Sequence, residues 1–182
     1  MKRVLLSCLV LALAANAFAH RLDEYLQATR IAVATNRIDL SIDLTPGAAV
    51  AEQLLRVIDK NHDRQLSETE RSDYARQFLK DIQLKLDEKP LTLSLMKVSF
   101  PEPFEVRSGV GVIRLKANAS VGPMALGSHT LSLSNGHLPA ISVYLVNALK
   151  PKESAIQVNT QTRDELQKNY RLSFDVIAAE KR

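Results

Sequence analysis

Between Asp59 and Glu70 the chain sets oxygen-bearing side chains at a spacing that suits a hard cation. Asp59, Asn61 and Asp63 alternate with other residues, Ser67 follows, and Glu70 ends the run. Counted as one loop, these fall at positions 1, 3, 5, 9 and 12, and Gln65 at position 7 offers its backbone carbonyl. A calcium ion takes six to eight oxygens, and a last glutamate closes its shell with two of them. Leu66 at position 8 is apolar, as such a loop expects.

This is the frame of an EF-hand, and it departs from that frame at position 6. A glycine belongs there because the loop turns sharply; this chain has Arg64. A side chain forced to positive φ costs ~1–2 kcal/mol, and the arginine sets a cation beside a site meant for one. The expected calcium affinity is therefore weak, on the order of 10⁻⁴–10⁻³ M. The same residues carry a second reading. Ser67 and Glu70 form the S-x-x-E pattern of a capping box, which starts a helix with no metal at all. Asp59 and Asn61 then simply end one helix and turn the chain. Spacing alone leaves both readings open.

The flanks must be helices for either reading to work. Val50, Leu54, Val57 and Ile58 fall on one helical face, with Thr45 as N-cap and Pro46 at the first helical position. Tyr74, Phe78, Leu79 and Ile82 mark a second face that runs out near Asp81. A helix–loop–helix is thus expected over about residues 46–81, inserted between strands.

The rest alternates with period two. Ile38, Leu40, Ile42 and Leu44 interleave with Asp39, Ser41 and Asp43, and Asn36-Arg37 can turn a hairpin back to Ile31 and Val33. Ile82, Leu84 and Leu86 lead through the turn Asp87-Glu88-Lys89-Pro90 into a run of Leu91, Leu93 and Leu95. Further strands are expected around Ile113, Leu131, Ile141 to Val146, Ile156 and Leu172 to Val176. Pro101 and Pro103, Gly122-Pro123, Asn135-Gly136 and Pro151 separate them as turn residues. Many short strands so spaced predict a mainly β chain, an immunoglobulin-like β-sandwich carrying an inserted EF-hand-like helix–loop–helix.

Residues 1–19 read as a signal peptide. Lys2 and Arg3 precede an apolar stretch from Val4 to Ala15, and Ala17-Phe18-Ala19 supplies the small-x-small cleavage pattern. Residues 20–182 would then be one domain, periplasmic or secreted. Cys8, the sole cysteine, leaves with the leader, so disulfides and thiol catalysis are not expected. Without Lys2 and Arg3 the chain keeps 22 of its 24 basic residues against 20 acidic ones, a charge of about +2. With no basic cluster interleaved with aromatics, nucleic acid is not an expected partner. No later apolar run reaches the ~20 residues a membrane-spanning helix needs.

Cleavage after Ala19 would leave His20 as the first residue. A free amine beside an imidazole chelates copper or nickel, given one more ligand such as His62, His129 or His137. His129 and His137 flank a strand, and a surface or turn role is expected for each. Asp23 and Glu24 read as a solvated charged pair. No Gly-x-Ser-x-Gly elbow or His-Glu-x-x-His helix occurs, so no enzyme is expected.

Taken together, Ala19 to Gln27, Asp43-Leu44-Thr45-Pro46-Gly47, the loop Asp59 to Glu70 and the stretch His137 to Leu149 thread most of the mature chain. On these segments it resembles small exported EF-hand-containing proteins and the extracytoplasmic N-terminal regions of some HupE/UreJ-like membrane proteins. Such relatives often show Asp-Gly-Asp-Gly where this chain has Asn61-His62-Asp63-Arg64. The resemblance implies a periplasmic accessory or sensing role, with a membrane or envelope metal-transport protein as partner. Three functions are therefore expected to compete: a weak calcium-binding accessory domain, a copper or nickel carrier using His20, and a purely structural secreted interaction domain.

Overall fold

A computed structural model describes residues 23–178 of the chain. The expected leader and His20 lie outside the described residues. Alternation builds the first hairpin: β1 (Tyr25–Ala34) and β2 (Arg37–Pro46) pair antiparallel around a turn at Thr35 and Asn36. Every second residue of β2 is buried, which puts Ile38, Leu40, Ile42 and Leu44 inside.

Two helices follow, α1 (Ala48–Ile58) and α2 (Glu68–Lys80). The chain then enters β3 (Ile82–Leu86), β4 (Lys89–Leu91) and β5 (Ser94–Ser99). A short helix α3 (Pro103–Arg107) precedes β6 (Ile113–Ser120), β7 (Gly127–Asn135), β8 (Ser142–Ala148), β9 (Ile156–Arg163) and β10 (Asn169–Val176). The strands form two five-stranded sheets, ordered β5-β6-β2-β1-β8 and β4-β3-β7-β10-β9. All neighbours are antiparallel except β1 and β8. The chain is mainly β, with two sheets compatible with a β-sandwich.

Both sheets and both long helices bury into one apolar cluster. Ile31, Ile42 and Leu115 come from the first sheet, Leu84, Leu131 and Phe174 from the second, and Leu54, Ile58 and Phe78 from the helices. Burying each such side chain contributes ~1.5–3 kcal/mol. The helical hairpin is therefore part of the core.

Four local expectations need correction. Thr45 is not the N-cap of α1, and Pro46 is not its first residue. Both pair with β1, Thr45 with Leu26 and Pro46 with Tyr25, so the ladder holds them extended and Gly47 becomes the cap. Ile82 belongs to β3 and not to the face of α2, because it pairs with Asn135. The leucine run at 91, 93 and 95 is not one strand. Leu91 pairs with Leu84 in the second sheet and Leu95 with Ala117 in the first, so the chain changes sheets between them. Finally, Pro103 starts a helix, the proline filling a position whose N–H would go unbonded. Glu102 and Glu105 cap it reciprocally, and Gly109, at φ 75°, lets the chain pass within contact of Ala48 at the start of α1.

Candidate functional site

The loop between α1 and α2 is organised by its own side chains. Asp59 Oδ2 accepts the Arg64 amide at 2.9 Å, Asn61 Oδ1 the Asp63 amide at 3.0 Å, and Asp63 Oδ1 the Gln65 amide at 2.8 Å. Asn61 Nδ2 also donates to Asp63 Oδ2. Each acidic or amide side chain thus turns back over the residues that follow it, the local bonding for which Asp and Asn are favoured in turns. Two residues take the left-handed backbone, His62 at φ 61° and Arg64 at φ 67°.

Glu70 closes the loop from the first turn of α2. Its Oε1 accepts the amides of Lys60 (2.7 Å) and Asn61 (3.3 Å), and its Oε2 accepts the Ser67 amide and hydroxyl. Ser67 Oγ in turn accepts the Glu70 amide, so the capping box is complete. The Ser67 hydroxyl, then the backbone amides, hold the Glu70 carboxyl down to about 2. That carboxylate is buried, as is Asp59, and Asp59 Oδ1 has no hydrogen-bond partner at all.

Of the residues singled out by spacing, Asp59, Asn61, Asp63, Ser67 and Glu70 are thus joined through one loop network, while Gln65 enters it by its amide. A hard cation would find an orphaned buried oxygen on Asp59, which fits it. It would have to draw Glu70 away from four donors that already use both carboxylate oxygens. Among the described residues no group of three or more His, Cys, Asp or Glu side chains stands ready to hold a metal.

A second polar centre gives no sign of itself in the local sequence. His137 was expected at a surface or turn, yet it is 2% exposed. Its Nδ1 lies 2.7 Å from Asp81 Oδ2 and its Nε2 lies 3.0 Å from the Tyr74 hydroxyl, which lies 2.6 Å from the Tyr25 hydroxyl. One proton arrangement satisfies every atom: Tyr25 donates to Tyr74, Tyr74 to Nε2, and Nδ1–H to Asp81. That requires a neutral imidazole, and burial does lower the His137 pKa, against the pull of Asp81. Desolvation likewise drives both tyrosines upward, Tyr25 well above its ordinary value.

The backbone of His137 is held as firmly as its ring. Its carbonyl accepts from Gln27 Nε2, Ser142 Oγ and Tyr144 OH, and its amide donates to Asn135 Oδ1. Phe78 packs edge-on against the ring at 4.8 Å. The Asp–His–Tyr order is that of an acid–base relay, but a general base must reach a proton on its substrate. Here the ring nitrogens are both bonded inward, and the relay ends on buried Tyr25.

These bonds also bear on the transition-metal reading. His129, like His137, spends both ring nitrogens on internal partners, Asp87 and the Ala125 carbonyl. Glu70 and Tyr74 sit one turn apart on the buried face of α2, so the loop and the His137 centre share a helix and border the same cleft. Comparisons of this chain with protein-family models, curated proteins and solved structures return no match.

Proposed function

We propose that this chain is an extracytoplasmic, non-catalytic binding domain with an immunoglobulin-like sandwich frame. Its helix–loop–helix acts as a weak EF-hand-like calcium site that serves a membrane or envelope partner. One observation carries the reading. His62 and Arg64 take the left-handed backbone at the two places where the resembled proteins carry glycine, around an Asp59 oxygen that is buried and unpartnered. A turn of this shape is what brings alternate side-chain oxygens to one centre.

In this reading Asp59, Asn61, Asp63, Ser67 and Glu70 supply side-chain oxygens and Gln65 its carbonyl. Glu70 is the element that responds. Free of the ion, it caps α2 and ties down the Lys60 and Asn61 amides; on binding, it trades those bonds for the ion. The exchange offsets part of the binding energy, which is in keeping with weak affinity. The rival, a loop closed without an ion, draws on the completed capping box that already saturates Glu70.

A thermal melt in chelator and in millimolar calcium separates them. A site of Kd near 10⁻⁴ M adds ~1.4 kcal/mol at 1 mM free calcium, a rise of a few degrees in the midpoint. Glu70→Gln and Asp63→Asn should each abolish that rise, two variants being used because Glu70 also caps the helix. A flat wild-type response sinks the calcium reading. A rise that survives both variants sinks the site.

A further inference from the structure

Arg64 takes a left-handed backbone conformation, at φ 67°, that disfavours a non-glycine residue, and strained positions of this kind concentrate at functional sites. Its side chain forms no ion pair or hydrogen bond among the described residues, and neither do those of Arg56 and His62. These three line one cleft together with Arg107, over Leu55, beside the loop. Arg107 bonds Glu52 through Nε at 2.7 Å, and its two Nη groups make no bond among the described residues. Arg56 stands in the last turn of α1, where its charge suits the negative helix end but its N–H donors stay unused.

We propose that this cleft is a binding site for a phosphate-type oxyanion, gripped by Arg56, Arg64 and Arg107. Guanidinium groups present planar forks of N–H donors that match the oxygens of phosphate and bond them in pairs. Three of them line a cleft of about 610 Å³. The acidic lining residues, Glu52 and Asp59, offset two of the three charges, Glu52 through the Arg107 Nε, and leave the cleft net positive. The site goes beyond the calcium reading and stands without it, because no guanidinium named here takes part in the loop network. It also supplies what the calcium frame lacks, a use for an arginine where a glycine is expected.

The test is a phosphate titration of the mature protein in chelator, so that calcium is absent, at constant ionic strength with chloride as the control. Arginine Nε–H resonances report binding directly. Phosphate should saturate in the millimolar range and shift the Arg56, Arg64 and Arg107 signals together. The double variant Arg56→Ala/Arg64→Gly should bind at least ~10-fold more weakly, since each charge-assisted fork is among the strong hydrogen bonds. Glycine at 64 suits the left-handed backbone, so a folding defect from strain is not in play. Vesicles of phosphatidylglycerol against phosphatidylcholine distinguish a lipid headgroup from a free ion. Sedimentation with the anionic vesicles that the double variant loses assigns the headgroup; phosphate binding without vesicle association assigns a small soluble ion. Equal phosphate affinity in wild type and double variant, or shifts no larger than those of chloride, overturns the proposal. A flat calcium melt beside a positive phosphate titration would remove the calcium reading alone.

Discussion

Among the described residues, two aspartate–histidine pairs have the same 2.7 Å separation from Nδ1 to Oδ2, and they behave oppositely. His129, on β7, has its pKa raised; His137, in the β7–β8 connection, has its pKa lowered. The carboxylate does not explain the difference, because both have one. Burial at His137 and the second hydrogen bond at His129 do. His129 Nε2 faces the Ala125 carbonyl, which can only accept, so both nitrogens are satisfied only when both carry protons. His137 Nε2 faces the Tyr74 hydroxyl, which can donate, and a neutral ring completes the chain. Burial is the larger cause at His137, whose 3% exposed side chain lacks the water a charged ring would need, while the His129 side chain keeps 11%. Asp87 itself ends below its ordinary value. Partial burial works against this, but the Thr130 amide and the His129 ring outweigh it. A histidine beside an acid is thus no more a switch than its burial and its second hydrogen bond allow.

Removing each ring tests the contrast most severely. His137→Ala leaves Tyr74 and Asp81 without their partner and opens a cavity against Phe78, so ~3 kcal/mol of stability should be lost in urea titrations. His129→Ala, at a partly open site stacked on Phe174, should cost ~1 kcal/mol. Equal losses would break the comparison. Tyr74→Phe is the next largest step: it deletes the donor to Nε2 and should cost ~1–1.5 kcal/mol with the fold intact.

Titration sharpens the same point. Ring-carbon resonances should place His129 above 6.5 and His137 below it. The linkage signs then oppose one another. The depressed His137 favours folding above 6.5, and that contribution declines as pH falls below 6.5 toward its folded value. The raised His129 favours folding below 6.5, and its contribution is lost as pH rises through its folded value. His129→Ala should therefore be more damaging at pH 5 than at pH 8; a pH-independent cost would contradict the assignment. The smallest effect belongs to Asp87→Asn. Asparagine tolerates the positive φ of 49° at that position, and the Ala125 carbonyl, the larger cause of the His129 shift, stays in place. The His129 titration should move down only part of the way toward 6.5, with stability changed by less than ~1 kcal/mol.

The same two residues mark what a sequence can and cannot announce. Val50, Leu54 and Ile58 lie on the buried side of α1 as their spacing requires, and the alternation of β2 is the alternation of its burial. Ser67 and Glu70 announced a capping box, and the box is there. Such features are local, written within a few residues. His137 is not. Its neighbours Gly136, Leu138 and Pro139 read as a turn, and its partners Asp81 and Tyr74 are on another element far back in the chain. Leu91 and Leu95 fail for a related reason: period two reveals which face is apolar but not which sheet a residue joins. The start of α3 was missed, because Pro103 was read as a turn residue although Glu102 before it and Glu105 after it frame a helix start. For the loop, spacing named the side chains that meet. It could not show that Glu70 already has four donors.

The parallel pairing of β1 with β8 sets an order of events in folding. Tyr25 lies beside Ser142 and Ile31 beside Ala148, so the first strand must meet one that lies 117 positions further along the chain. The β1–β2 hairpin can close within microseconds, whereas the partner for the other edge of β1 comes only after six further strands. Until it arrives, that edge offers unpaired amides and carbonyls to any neighbouring strand. Closure of so distant a contact is a slow, entropy-limited step, which puts this chain among domains that fold over milliseconds to seconds. Over that interval an unfinished molecule is most exposed to self-association.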